Sequence, residues 1–163
     1  MVMEHYEKIS QKAKQDVKVA DHMINVTYKL VDDPKMLLSV VSRLMTAVTN
    51  TMATVLYYER FYKRIPPFQD DFDSMYNMFK SRCIKNYNIN VEYIKLIEDL
   101  RDILKQHKKS PMEFSRTNKF VICSDDYRMR VIKVEDIKNY INKAKLFQKE
   151  AERMVNLNGR NNV

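Results

Sequence analysis

The stretch LRDILKQHKKSPMEFSR, residues 100–116, brings Arg101, Asp102 and His107 together at short spacing and follows them with Lys108 and Lys109. An imidazole titrates close to neutral pH, so His107 can take or give a proton. A guanidinium donates in a planar fork that matches phosphate oxygens, and a neighbouring carboxylate can orient either cation. The combination suits acid–base work on a phosphate ester.

The element that must position these residues is a helix over 91 to about 108, whose apolar arc is set by Tyr93, Leu96, Ile97, Leu100 and Leu104. At about 100° per residue, Arg101 falls at one flank of that arc, between Ile97 and Ile94, and His107 falls next to Leu100. An arginine on the packed side of a helix is paired, snorkels, or looks into a cleft. The rest of the stretch follows helix grammar. Lys105, Lys108 and Lys109 sit in the last turn, where cations complement the negative end of the macrodipole. Ser110-Pro111-Met112-Glu113 has the form of a capping box with proline at the first helical position, which predicts a new short helix.

Other chemistries find little support. The three histidines, His5, His22 and His107, stand far apart, and neither HExxH nor ExxH occurs, so no metal and no cofactor is expected. Asp70-Asp71 and Asp125-Asp126 are expected to be solvated turn carboxylates. Cys83 and Cys123 lack both a CxxC spacing and an adjacent histidine, which fits small packing residues in a reducing cytoplasm. The single glycine, Gly159, lies near the C-terminus. That excludes a P-loop and a Rossmann fingerprint, both of which need glycine to bring backbone amides against phosphate. It also argues against a turn-rich β architecture.

The expected fold is all-α, an antiparallel bundle of four to five long helices with a short β-hairpin inserted near residues 119–132. Residues 4–31 repeat apolar side chains at three- and four-residue steps, from Tyr6 through Ile24 to Val31. Asp33-Pro34 then restarts a helix that is apolar on nearly every face to about residue 64, as a central helix would be. Ile65-Pro66-Pro67 ends it. Phe72, Met75, Tyr76, Phe79 and Cys83 mark a third helix, and residues 135–157 a final one. Residues 4–157 are expected to form one domain, with a flexible tail over 158–163. No apolar run approaches the ~18 residues of a membrane span, and no leader pattern opens the chain.

The formal net charge is +8, and residues 105–133 concentrate it, with eight lysines and arginines against three carboxylates. There Phe114, Phe120 and Tyr127 alternate with Arg116, Lys119, Arg128 and Arg130, a pattern suited to a phosphate backbone with base stacking. With Lys108 and Lys109 these are the candidate nucleic-acid contacts. Their alternative is a solvated hairpin face.

Arg101-Asp102, four further residues and His107, within a basic helical domain, resemble the Arg-polar-x(n)-His motif of the HEPN superfamily. The resemblance implies a helical bundle, often a homodimer, acting as a metal-independent endoribonuclease. It implies His107 as general base or acid at a ribose 2′-OH, Arg101 as the group stabilising the scissile phosphate, and Asp102 as their orienting partner. Lys108 and Lys109 stand where family members often carry an aromatic. Three readings follow: a HEPN-like ribonuclease, a non-catalytic nucleic-acid-binding protein, and a protein-interaction scaffold. RNA is the expected partner and a membrane is not.

Overall fold

A computed structural model describes residues 4–161. Helix α1 (His5–His22) passes through a π-helical turn (Met23–Thr27) into α2 (Tyr28–Val31), making one rod that ends where Asp32 adopts a left-handed conformation at φ 51°. The start of α1 is fixed by a reciprocal box between Glu4 and Glu7, in which the Glu4 amide donates to the Glu7 carboxylate at 3.0 Å. Helix α3 (Met36–Phe61) is the centre of the molecule. The Asp33 carboxylate accepts from the Lys35 amide at 3.0 Å just ahead of it.

Helix α3 packs against α1 along its length and against α6 and α7 on other sides. Leu37, Val40, Val41, Leu44, Ala47 and Met52 are wholly enclosed, which is why its sequence is apolar almost all round. By length and composition alone α3 could cross a membrane, but in this fold neighbouring helices take up its apolar faces. A polar tie crosses the α1–α3 seam: buried Asp16 accepts from Arg43 at 3.3 Å and from Asn50 at 3.2 Å.

After the proline turn, α4 (Phe72–Met78), a second π-helical turn (Phe79–Cys83) and α5 (Ile84–Tyr87) form the next rod. The Asp71 carboxylate caps it, accepting from the Ser74 amide at 2.8 Å and its hydroxyl at 2.7 Å, and these bonds hold Asp71 below the usual carboxylate range. Helix α6 (Val91–Lys109) follows, capped by Asn90, and α7 (Val134–Asn161) closes the bundle. Of the tail expected at 158–163, residues 158–161 continue α7, and 162–163 lie outside the described residues.

Between α6 and α7 stands a three-stranded antiparallel meander, β1 (Met112–Arg116), β2 (Lys119–Cys123) and β3 (Met129–Lys133), in that spatial order. The expected hairpin is therefore β2–β3, and the short helix expected from Ser110 does not form; β1 takes its place. The reason lies in where two side chains go. Ser110 is extended, at φ −69° and ψ 128°, and its hydroxyl reaches the carbonyls of Met112 and Cys123 rather than the Glu113 amide. Glu113, in turn, bonds His107 instead of returning to the Ser110 amide. The capping box lacks both of its reciprocal bonds.

Turns that glycine would ordinarily supply are made by other residues. Asn118, at φ 57°, closes the β1–β2 hairpin, and Tyr127, at φ 64°, closes β2–β3. Asparagine tolerates that region well; a tyrosine there is strained.

Candidate nucleic-acid interface

The sheet has two unlike faces. Phe120, Ile122 and Ile132 belong to the helical core, so side chains alternating with them point outward. Register then defines three cross-strand rows on the outer face: Met112, Cys123 and Met129; Phe114, Val121 and Val131; Arg116, Lys119 and Lys133. The first two rows are apolar. Met112, Met129 and Val131 are exposed, while Val121, on the central strand, is covered by its neighbours although it stands outside the main core. The third row is wholly cationic and lies at the end of the sheet where α7 begins.

Across an antiparallel pair, directly opposed side chains are nearest neighbours, and like charges in that position destabilise. Arg116 opposes Lys119, and Lys119 opposes Lys133. Among the described residues none of the three has a carboxylate within ion-pair distance, and the Arg116 guanidinium lies over the Phe114 ring, 4.8 Å from its centroid. At the far end of the same sheet, Tyr127 is 95% exposed. Arg128 beside it is also exposed and pairs with Asp126 at 3.2 Å.

Arg130 is placed differently. It shares a row with Glu113 and Ile122 on the inner face, where it donates to the Gln106 side chain at 3.5 Å and lies beside the Tyr140 hydroxyl. Its role is to tie the sheet to α6 and α7. Phe120, also expected among the interleaved aromatics, is buried in the core at 3% exposure. Lys108 and Lys109 are exposed at the end of α6, and Lys109 borders a cleft that also receives Lys105, Asp125 and Asp126.

The Arg101, Asp102 and His107 constellation is held on α6 by buried Leu96, Ile97, Leu100 and Ile103. Arg101 reaches toward α4, donating to Asp73 at 2.5 Å with its guanidinium over Phe72, 4.6 Å from the ring centroid. His107 reaches toward β1, its Nδ1 being 2.6 Å from the Glu113 carboxylate. Asp102 is exposed. Within one chain, then, Arg101 and His107 leave the helix toward different elements and do not share a partner.

Sequence reasoning missed Glu113 as the partner of His107, because it assigned that carboxylate to a helix cap. The alternation of Met112, Phe114 and Arg116 ahead of a Thr117-Asn118 turn was the available signal. It also missed the buried acid of α3. Glu59 is 2% exposed, accepts from the Tyr87 hydroxyl, and lies 3.4 Å from Arg64. Burial raises its pKa, and Arg64 offsets part of that rise. Burial, with Glu59 nearby, also pushes the Cys83 thiol up to about 12, which leaves it a protonated packing group and not a nucleophile. Among the described residues no cluster of three or more histidine, cysteine, aspartate or glutamate side chains is arranged to hold a metal.

No protein-family model, no curated protein sequence and no solved structure matches this chain.

Proposed function

We propose that the protein binds single-stranded RNA across the outer face of its sheet. The observation that carries this reading is the row Arg116, Lys119 and Lys133, three cations set directly across the strands from one another with no carboxylate between them. A solvated face gains nothing from that placement, whereas a phosphate backbone would turn its repulsion into attraction. The adjoining apolar rows supply surface for bases, with Phe114 already stacked on a guanidinium. The strained, solvent-facing Tyr127 with Arg128 provides a second stacking and phosphate contact at the other end, ~14 Å away for a five-residue strand.

The test is fluorescence anisotropy with a labelled RNA oligomer at low salt. Arg116→Glu and Lys133→Glu should each weaken binding at least tenfold, while Lys95→Glu, an exposed cation on α6, should not. Wild-type protein that ignores RNA at low salt would overturn the reading and leave a scaffold role.

The His107–Glu113 pair favours a second reading, a HEPN-like metal-independent endoribonuclease. With its Nδ1 proton given to Glu113, the imidazole keeps Nε2 as a proton acceptor, the arrangement a general base uses. Within one chain Arg101 turns toward Asp73 and away from His107, so this reading needs Arg101 of a second copy, released from its Asp73, to face His107 in a homodimer. This reading expects RNA cleavage in the presence of a chelator that disappears in His107→Ala. Uncleaved RNA with wild-type protein excludes it.

A further inference from the structure

Where α2, the sheet and the first turn of α7 meet, an open cleft of about 500 Å³ receives four lysines from four different elements: Lys29 of α2, Lys119 of β2, Lys133 of β3 and Lys138 of α7. One carboxylate, Glu135, lines it with them. Among the described residues, the lysines that form ion pairs are Lys143 and Lys145, so these four ammonium groups are unpaired. The wall between them is firm, since Ile24 and Tyr28 are buried. The Tyr28 hydroxyl donates to the Asn118 side-chain oxygen at 3.2 Å, which leaves the Asn118 amide nitrogen as a donor without a protein acceptor.

The position compounds the charge. Lys133 directly precedes α7, at the positive end of a 28-residue helix dipole where cations are unfavourable, and Lys138 follows in the second turn. Asp136 caps that end by accepting from the Lys133 amide at 3.0 Å, but it does not pair with a lysine ammonium. The fold thus keeps four like charges beside a positive helix end, around a space large enough for a small ligand.

We propose that this cleft binds an oligophosphate group. Four ammonium groups need several negative charges in a small volume to neutralise them. Lysine is a compact point charge with rotatable donors that meets phosphate oxygens from any direction, and a chain of linked phosphates concentrates more negative charge in that volume than a small carboxylate does. The site shares Lys119 and Lys133 with the sheet face, yet Lys29 and Lys138 lie off that face, so its occupancy does not depend on strand binding there.

Calorimetric titration with inorganic tripolyphosphate at low salt tests the proposal, with citrate, a compact polycarboxylate, as the comparison. Tripolyphosphate should bind at least tenfold more tightly than citrate. Lys29→Glu and Lys138→Glu should each weaken it at least tenfold, and the milder Lys29→Gln and Lys138→Gln should follow in the same direction with thermal unfolding unchanged. Arg128→Glu, at the far end of the sheet and outside the cleft, should leave tripolyphosphate binding intact even where it lowers RNA binding, which separates failure of this site from failure of the sheet-face reading. Two further arms identify the source. Tighter binding of a 5′-triphosphorylated oligomer than of its 5′-hydroxyl form, beyond that of tripolyphosphate, assigns the cleft to a strand end; equal affinity for free and strand-borne triphosphate assigns it to a free oligophosphate. The absence of tripolyphosphate binding, parity with citrate, or indifference to Lys29 and Lys138 would overturn the proposal.

Discussion

Lys119 and Lys133 stand directly opposite one another on the β2–β3 ladder, on the face turned away from the core, and Arg116 stands opposite Lys119 on the other side. Three cations at nearest-neighbour distance weaken the sheet that carries them.

That cost makes a prediction about stability. Lys119→Glu would replace two repulsive cross-strand contacts by two attractive ones, each worth roughly 0.2–1 kcal/mol. For a domain of this size the gain corresponds to a melting temperature about 2–4 °C higher per kcal/mol. Thermal unfolding at low salt should show the increase, and at high salt it should shrink as screening removes the original repulsion. The same substitution should weaken RNA binding. A variant no more stable than wild type at low salt contradicts the assigned register.

Arg101 is predicted to act in structure. Its ion pair with Asp73 is partly solvent-exposed and screened, and its stacking over Phe72 adds a modest cation–π contribution, so Arg101→Ala should cost about 1 kcal/mol. Chemical denaturation would measure that loss. RNA affinity should stay within twofold of wild type; a tenfold drop would return Arg101 to the interface.

The helices were legible because their signals are local and repeated. The apolar stripe of α1 and α2, the all-round apolar character of α3 and the stops at Asp32-Asp33-Pro34 and Ile65-Pro66-Pro67 depend on spacing alone. β1 was not legible by the same means. Ser110 and Glu113 satisfy the capping-box pattern in sequence, and what sends them elsewhere is a carbonyl of β2 and an imidazole on α6, both supplied by tertiary structure. The scarcity of glycine also misdirected the reading of this region, because Asn118 and Tyr127 adopt the left-handed conformations that the two turns need. For the candidate site, the basic composition of residues 105–133 was visible, but the sorting was not. Only strand register separates outward Arg116 and Lys119 from inward Arg130, and only the packing of α2 against the sheet end brings Lys29 to Lys119.

The buried acid of α3 should leave a pH signature. Burial raises the Glu59 pKa in the folded state, so the folded protein holds that proton more tightly than the unfolded chain does. The contribution is therefore fully present below the ordinary glutamate range and is lost as pH rises through the raised value. Melting temperatures of wild type and Glu59→Gln, compared across that window, should diverge with the wild type losing ground as pH increases. A constant difference would mean that Glu59 titrates alike in both states, and an opposite trend would mean that Arg64 lowers its pKa more than burial raises it.

The central claim is that the cationic row contacts phosphates, and the salt dependence of RNA binding tests it most directly. The logarithm of the observed affinity should fall linearly with the logarithm of salt concentration, with a slope set by the number of phosphates neutralised. Replacing Arg116, Lys119 and Lys133 together by glutamine should reduce that slope by about 0.7 per cation, or roughly 2 in all, while weakening binding across RNA sequences alike. An affinity for RNA whose salt slope is the same with and without the three cations would contradict the account.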